Sequence, residues 1–254
     1  MMQKEIDVTA LGELLIDFTE NGVSSQGNAL LEANPGRAPC NVLAMLGKLG
    51  KKTAFIGKVG NDQFGNMLRK TIESVGIDAE GLVIDDKVHT TLAFVHTYPD
   101  GDRDFSFYRN PGADMMLRKE EVSLDKICAS KIFHFGTLSF THAGIRTASQ
   151  YAIQCAKEAG ALISFDPNLR EPLWENLEDA RKVIEYGMEC CDILKISDNE
   201  LTFMTGEKDY DKGAVLLQQK YQIPLVCVTL GKDGSRAYYK GLRLKQSHFC
   251  RKTR

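Results

Sequence analysis

Two kinds of apolar pattern alternate along the chain, and this alternation sets the fold class. Short runs rich in β-branched and aromatic residues are separated by longer segments whose apolar residues recur three and four apart. The first pattern predicts buried strands and the second predicts amphipathic helices. A strand followed by a helix pairs in parallel with the next strand, because the helix carries the chain back across the sheet. We therefore expect an α/β fold with a doubly wound, mostly parallel sheet and helices on both faces.

These patterns place strands and helices in turn. Strands are expected near residues 6–11, 53–58, 131–135, 161–165, 192–196 and 225–230, and a further strand is expected after the glycine turn that follows the last of these. Helices are expected over residues 38–50, 62–76, 143–160, 175–191 and 209–222. Three of the helices should end on a glycine, which tolerates the left-handed conformation found after helix ends. These glycines are Gly50, Gly76 and Gly160.

Residues 89–110 depart from the alternation. Two strand-like runs flank a turn sequence at 99–102, Pro-Asp-Gly-Asp, which predicts a β-hairpin. A hairpin inserted into a doubly wound domain cannot bury both of its faces in the main core. We expect it to lie over the edge of the sheet, over a ligand, or against a second subunit.

The composition is that of a globular protein. The chain has 254 residues, 43% of them hydrophobic, and a formal net charge of -2. Basic and acidic residues are mixed until the last dozen positions, so we expect no nucleic-acid partner. No signal peptide is recognisable, and no run reaches the about 18 apolar residues of a membrane span. Seven cysteines without a Cys-x-x-Cys pair favour free thiols, and we expect a cytoplasmic location.

Several common phosphate and catalytic motifs are absent. The sequence GKKT at 50–53 resembles the end of a phosphate-binding loop, but Met45 stands where that loop requires a glycine. No Gly-x-Gly-x-x-Gly follows the first strand, which argues against a nucleotide-binding oxidoreductase of doubly wound fold. His-Glu-x-x-His and Gly-x-Ser-x-Gly are missing too, so the commonest zinc and serine-hydrolase sites are not expected.

Polar clusters follow the predicted strands, at the edge where ligands bind to open parallel sheets. The clusters are GELLIDF with Asp17, NPGRAPCNVLA with Gly36 and Asn41, GKVGNDQFG, FDPNLR with Asp166, Asn168 and Arg170, LKISDNE, and VTLGKDG. Their order and spacing, together with FSFYRNPGAD on the hairpin, resemble the ribokinase-like carbohydrate kinases, also called the PfkB family. Within that family the chain looks most like the fructokinases and the 2-keto-3-deoxygluconate kinases, and the resemblance extends from Glu5 to about Gly241.

The resemblance implies a sugar site. A neutral sugar offers only hydroxyls, so its binder needs fixed hydrogen-bonding groups rather than a charged partner. By similarity, hydroxyls are held by Asp17, Gly36, Asn41 and Asp166, whereas Phe107, Arg109 and Arg170 approach from the side of the hairpin. The hairpin would then be a lid that excludes water, since water competes for the phosphoryl group.

The resemblance also implies a site for ATP and Mg²⁺. The nucleotide-binding residues would be Lys195, Ser197, Glu200, Thr229, Gly231 and Gly234. Glu200 would organise magnesium-bound water, because magnesium usually keeps several of its waters. The glycines would let main-chain amides approach the nucleotide closely. Full-length members of the family also suggest a monovalent cation as a possible cofactor.

Two departures from the family pattern are visible. Arg37 stands where the family usually has a second glycine, which puts ordinary sugar affinity in doubt unless the side chain swings away. The Gly-Ala-Gly-Asp segment that supplies an anion hole and the catalytic base is absent, and residues 243–254 form a basic tail without acids. We therefore assign residues 1–242 to an incomplete ribokinase-like domain with no catalytic base, and expect little or no activity.

Alternatives remain open at this point. Fructose is the favoured sugar and 2-keto-3-deoxygluconate the runner-up, because Arg109 and Arg170 suit either one. The chain could be a shortened product of a fructokinase gene, or a non-catalytic protein that still binds sugar, nucleotide or a partner. Lid segments at about 19–36 and 87–110 imply, by resemblance only, a homodimer joined through the lid.

Overall fold

The computed structural model describes residues 4–97 and 103–247, which form a large sheet flanked by helices and a smaller second sheet. The large sheet has nine strands in the order β13-β12-β11-β10-β9-β8-β1-β4-β5. Its strands are β1 (Ile6–Leu11), β4 (Thr53–Gly60), β5 (Ile77–Asp85), β8 (Ser130–Gly136), β9 (Leu162–Asp166), β10 (Ile193–Ser197), β11 (Leu225–Thr229), β12 (Ser235–Tyr239) and β13 (Leu242–Gln246). All neighbours from β5 to β11 pair in parallel, whereas β12 and β13 are antiparallel. The predicted doubly wound, mostly parallel sheet is confirmed.

Seven α-helices connect and cover the strands within the described residues. They are α1 (Ala38–Lys48), α2 (Gln63–Ser74), α3 (Leu124–Cys128), α4 (Ala143–Glu158), α5 (Leu177–Cys190), α6 (Asp198–Thr205) and α7 (Tyr210–Tyr221). All five predicted helices are present, and α3 and α6 are additional. The three predicted terminal glycines, Gly50, Gly76 and Gly160, have φ of 76°, 80° and 68°. Each helix end is therefore closed by the left-handed residue that the sequence indicated.

Neighbouring residues of the central strands face opposite sides of the large sheet, as the period of two requires. Ala10 and Phe55 are buried in one apolar cluster with residues of α1 and α2. Leu11 and Ile56 are buried in another cluster with residues of α4, α5 and α7. Two helical layers therefore cover the sheet, and each layer buries its own side of β1 and β4.

The smaller sheet has four strands in the order β3-β2-β6-β7, where β2 is Leu15–Val23, β3 is Ala29–Gly36, β6 is Leu92–Thr97 and β7 is Arg103–Tyr108. The predicted hairpin is β6 and β7, and its turn at 99–102 lies outside the described residues. The partner hairpin of β2 and β3 joins it through a parallel pairing of β2 with β6. Phe18 and Phe94 stack across this junction with ring centroids 5.1 Å apart.

The strand order reverses at β1. From β1 the chain builds β4 and β5 on one side and then continues with β8 to β11 on the other. Such a switch point leaves a crevice beyond the carboxyl ends of the strands, where ligands of this fold class bind. The small sheet begins directly after β1, so it is placed beside this crevice. Within the described residues, no helix is both long and apolar enough to cross a membrane.

Candidate functional site

A cavity of about 380 Å³ lies where the small sheet faces the start of α1 and the loop after β9. Most of its polar lining groups are uncharged amides and hydroxyls, and its charged groups are one carboxylate and two guanidinium groups. The lining residues are Asp17, Thr19, Asn34, Pro35, Gly36, Arg37, Ala38, Asn41, Val95, Phe105, Asn168 and Arg170. The structure thus brings together four of the predicted sugar-binding residues, which are Asp17, Gly36, Asn41 and Arg170.

The carboxylate of Asp17 is engaged by Arg37. Nη2 of Arg37 lies 2.5 Å from Oδ1 of Asp17, and the two side chains are 6% and 26% exposed. Arg37 also lies over the ring of Phe107, with the guanidinium carbon 5.4 Å from the ring centroid. Phe107 therefore contributes to the site by packing beneath Arg37, and it does not line the cavity.

Arg37 has an unusual main-chain conformation. It precedes the first residue of α1 with φ of 150° and ψ of 170°. This region is populated almost only by glycine, because a Cβ is crowded there, and a residue held in it costs of order 1–3 kcal/mol. In addition, Nε of Arg37 is buried without a hydrogen-bond partner. The ion pair with Asp17 and the contact with Phe107 therefore hold Arg37 in place, although its main chain is strained and its Nε has no hydrogen-bond partner.

Burial dominates the electrostatics around this pair. It raises the pKa of Asp17, and the neighbouring Arg37 guanidinium opposes that rise. It also lowers the pKa of Arg37, against the attraction of Asp17. Glu13 lies next to the pair on the chain segment after β1 and is itself buried, which raises its pKa to about 7. Glu13 belongs to the GELLIDF motif, but nothing in the sequence indicated that its carboxyl group would be buried.

The loop after β9 supplies the opposite wall of the cavity. Asn168 adopts a left-handed conformation with φ of 44°, which asparagine tolerates better than most residues. Arg170 is half-buried, and its Nη1 donates to the carbonyl oxygen of Leu169 at 3.1 Å. Among the described residues it forms no ion pair within 4.0 Å. Arg170 is thus a cation at the cavity wall without a carboxylate of its own.

Arg109, a predicted sugar contact, lies elsewhere. Its side chain is 4% exposed and forms an ion pair with Asp114, with Nη2 and Oδ2 2.7 Å apart. Nη1 donates to Oγ1 of Thr141 at 2.9 Å, and Nη2 to the carbonyl oxygen of Leu138 at 3.2 Å. The guanidinium is fully used inside the protein, and Arg109 does not line the cavity.

A second polar cluster joins the ends of β9 and β10. Nζ of Lys195 lies 3.2 Å from Oδ1 of Asp166, whose pKa is raised by burial and held back by that ammonium group. Ser197 is the N-cap of α6 and forms a capping box with Glu200, in which the main-chain amide of Glu200 donates to the Ser197 hydroxyl and the main-chain amide of Ser197 donates to the Glu200 carboxylate. Asp166 therefore faces the predicted nucleotide residue Lys195, although the sequence assigned it to the sugar.

Thr229 and the turn after β11 extend this cluster to the next strand. Thr229 pairs in register with Ser197, so the two hydroxyl residues end adjacent parallel strands. Gly231 and Gly234 form the turn, with φ of 52° and 91°. A Cβ on Gly231 would meet no atom within 4 Å, so the chain is open there to an approaching group. The predicted nucleotide residues are thus contiguous along one edge of the sheet.

The carboxylate of Glu200 has little free acceptor capacity left for a metal ion or its waters. Its carboxylate accepts from the amide of Leu169 at 2.7 Å and from the amide and hydroxyl of Ser197 at 2.9 and 2.8 Å. A carboxylate offers about four acceptor positions, so about one remains for a metal-bound water. Over residues 4–97 and 103–247 no cluster of three or more His, Cys, Asp or Glu side chains could hold a metal directly. The residues fit an ion that is bound chiefly by phosphates and waters.

Asn34 and Thr19 belong to the cavity and were missed from the sequence. Nδ2 of Asn34 donates to Oγ1 of Thr19 at 2.9 Å across the paired strands β2 and β3. The signal that could have found them is the alternation along these strands, which places Asp17 and Thr19 on the same face. Without the β2–β3 register, the amide of Asn34 could not be assigned to that face.

The fold and this site together define a carbohydrate kinase of the doubly wound α/β class. Residues 5–253 match the profile described as pfkB family carbohydrate kinase, and the chain belongs to this family of phosphotransferases. The chain is 46% identical over 236 residues to a protein named probable fructokinase-2 from Arabidopsis thaliana, and the match covers 92% of this chain and 71% of that protein.

Solved structures agree with this assignment. A fructokinase from Xylella fastidiosa, determined with bound ATP, superposes with a TM-score of 0.86 at 30% identity, over 98% of this chain and 76% of that one. A fructokinase double mutant from Vibrio cholerae, determined with fructose, ADP and potassium ion, gives a TM-score of 0.84 at 29% identity, over 97% and 77% of the two chains. The fold predicted from sequence is therefore that of known sugar kinases.

Proposed function

We propose that this protein is a sugar kinase of the fructokinase type, the class of enzyme that transfers the γ-phosphoryl group of ATP to D-fructose to give fructose 6-phosphate and ADP. The carrying observation is the cavity beside the switch point of the sheet, whose lining is rich in neutral hydrogen-bonding groups. Relatives such as probable fructokinase-2 support the choice of sugar, as does the fructose-bound structure from Vibrio cholerae.

Sugar hydroxyls would be held by side chains of fixed geometry. Asp17 supplies acceptor oxygens, and the amides of Asn41 and Asn168 can each donate and accept. Asn34 can only accept, because its amide nitrogen already donates to Thr19 and to the carbonyl oxygen of Glu32. These groups come from the small sheet, from α1 and from the loop after β9, so a bound sugar would be surrounded on several sides. The small sheet would act as the lid that keeps water from the phosphoryl group.

ATP would lie along the ends of β10 and β11. Ser197, Thr229 and the turn at Gly231 form the edge that is available to it, and Lys195 adds a positive charge beside Asp166. Phosphoryl transfer depends on positioning and on neutralising phosphate charge, to which bound Mg²⁺ would contribute next to Glu200. The end of β9 links the two sites, because Asp166 faces Lys195 while Asn168 and Arg170 line the sugar cavity.

An acidic sugar is the second candidate. The cavity lining contains the guanidinium groups of Arg37 and Arg170 but only the carboxylate of Asp17, so one positive charge is left in excess. A carboxylate-bearing sugar such as 2-keto-3-deoxygluconate would neutralise that charge with bidentate hydrogen bonds. This observation keeps the keto-acid sugar kinase as the alternative.

Thermal unfolding with each sugar distinguishes the two candidates. A ligand that binds the folded state raises its stability by RT ln(1 + [L]/Kd), or about 2.7 kcal/mol at 100 times Kd. We expect fructose at saturating concentration to raise the Tm and 2-keto-3-deoxygluconate at the same concentration to leave it unchanged. Stabilisation by the keto-acid alone would reject fructose as the substrate.

Turnover is a separate prediction. The 254 residues contain no Gly-Ala-Gly-Asp segment, and we expect them to bind the substrates without phosphorylating the sugar at an ordinary rate. An ADP-release assay with fructose, ATP and Mg²⁺ measures this directly. A turnover number near the ~10 per second of typical enzymes would contradict the prediction.

A further inference from the structure

We propose that Arg37 is an internal competitor for the sugar: its guanidinium occupies the hydrogen-bonding position at Asp17 that a neutral sugar needs, so the sugar binds only after displacing it. Arg37 would then be the residue that sets the affinity and specificity of this cavity. The inference rests on the proposed function, since it assumes that a neutral sugar is the ligand.

The contact itself is the first support. Nη2 of Arg37 lies 2.5 Å from Oδ1 of Asp17, and no other described residue donates a hydrogen bond to that carboxylate. Both side chains line the cavity, so the pair lies inside the space available to a ligand. A sugar hydroxyl that donates to Oδ1 would have to take the place of the guanidinium nitrogen.

The cost of holding Arg37 in place is the second support. Its main chain has φ of 150° and ψ of 170°, a region that suits glycine and strains other residues. Its Nε is buried with no partner, although a buried donor left unpaired is unfavourable. The main-chain strain persists when the side chain swings away, but release into solvent would satisfy Nε, and this gain offsets part of the cost of breaking the ion pair with Asp17.

The third support is the charge that remains in the cavity once the side chain of Arg37 has moved away from Asp17. With Arg37 withdrawn, Asp17 would still feel the positive charge of Arg170 across the cavity. The positive charge of Arg170 favours the ionised form of this carboxylate, which can then accept hydrogen bonds from sugar hydroxyls. The withdrawn state is thus the one that matches a neutral sugar.

The substitution Arg37→Gly tests the proposal in the full chain. Glycine suits the main-chain conformation at this position, so the variant is expected to fold, and circular dichroism with thermal unfolding checks this. Fructose affinity is measured by isothermal titration calorimetry. We expect Arg37→Gly to bind fructose at least about tenfold more tightly than the unmodified chain, a change equivalent to about 1.4 kcal/mol.

A matched control removes an arginine that does not face the cavity. Arg69 forms an exposed pair with Glu73 on α2, and Arg69→Ala should leave fructose affinity unchanged. A second readout follows the Nε–H resonance of Arg37 by nuclear magnetic resonance, assigned through its absence from the Arg37→Gly spectrum. Fructose should shift this resonance in the unmodified chain as the guanidinium leaves Asp17.

The outcomes separate this inference from the proposed function. If the unmodified chain and Arg37→Gly bind fructose equally, or the variant binds it more weakly, Arg37 is no competitor and the fructokinase proposal stands. Binding that leaves the Arg37 resonance unmoved has the same meaning. If neither chain binds fructose while both bind the keto-acid sugar, the proposed substrate is wrong and the inference falls with it.

Discussion

The ion pair between Arg109 and Asp114 is among the most deeply buried in the described part of the chain. Its two side chains are 4% and 1% exposed, with Nη2 and Oδ2 2.7 Å apart. Asp114 also accepts from Oγ1 of Thr91 at 2.5 Å, and Arg109 donates to Thr141. The network ties the chain just after β7 to Thr91, just before β6, and to Thr141, between β8 and α4.

Removing one member of this pair should be strongly destabilising. Arg109→Leu leaves the Asp114 carboxylate buried without its counter-ion, which typically costs about 3–5 kcal/mol. The free energy of unfolding from urea titration measures the loss. Arg69→Leu is the control, because Arg69 and Glu73 are 42% and 50% exposed and such pairs contribute about 0–1 kcal/mol. If Arg109→Leu lowers the free energy of unfolding by no more than Arg69→Leu does, the buried pair does not stabilise the fold.

Gly187 in α5 lies directly against Phe165. A Cβ at this glycine would approach Cζ of the ring to 2.3 Å, and Phe165 is fully buried in β9. Gly187→Ala should therefore cost about 1–3 kcal/mol through overpacking, despite the better helix propensity of alanine. Gly144→Ala in α4 is the control, since its nearest new contact would be 3.5 Å. Equal free energies of unfolding for the two variants, measured by chemical unfolding, would contradict the prediction of overpacking at Gly187.

Glu13 should make stability depend on pH near neutrality. Burial raises its pKa from 4.5 to about 7. Between these values the folded chain retains a proton that the unfolded chain releases, so stability falls as the pH rises from about 4.5 to about 7. Relative to Glu13→Gln, the unmodified chain should lose about 3 kcal/mol across this window. Urea unfolding at pH 4.5, 6 and 8 tests this, and a constant difference between the two chains would refute it.

A homodimer through the small sheet remains a prediction from the family resemblance. Four large apolar side chains of this sheet are exposed, namely Val23, Leu30, Leu31 and Tyr108. Light scattering should give twice the chain mass of 28.3 kDa, and Leu31→Lys should shift the mass toward the monomer. Leu216→Lys on α7 is the control, because Leu216 is 48% exposed and Leu31 is 46% exposed. A monomer at all concentrations would reject this interface.

Most strands of the large sheet and its main helices follow from sequence because their signals are local, whereas β5 and β13 were not predicted. Each predicted strand is a run that is buried in the sheet, and each predicted helix carries an apolar face of several turns. The strands β2 and β3 gave no such signal, because most of β3 is exposed and its side chains are not sorted by burial. Helix α6 has only eight residues, too few for a period to be read.

The site was partly predictable, and the reason is topological. Residues after parallel strands gather at one edge, so the position of Arg170 after β9 could be anticipated. Asp17 lies within β2 and Asn41 within α1, and both were assigned to the sugar by family resemblance. The Asp17–Arg37 pair could not, because the orientation of Arg37 depends on Phe107, which lies on a distant strand of the chain. Arg109 was assigned to the sugar by family resemblance, and its burial against Asp114 and Thr141 could not be recognised from any local pattern.

The glycines of GKVGNDQFG, at the end of β4 and the start of α2, restrict how this chain could diverge. A Cβ on Gly65 would lie 2.0 Å from the carbonyl oxygen of Gly60, and a Cβ on Gly60 would lie 2.5 Å from the amide nitrogen of Thr90. The obstructing atoms belong to the main chain, so no compensating side-chain replacement elsewhere could relieve either clash. Main-chain packing alone therefore requires glycine at these two positions, and the requirement would hold even in a related protein that no longer bound any substrate.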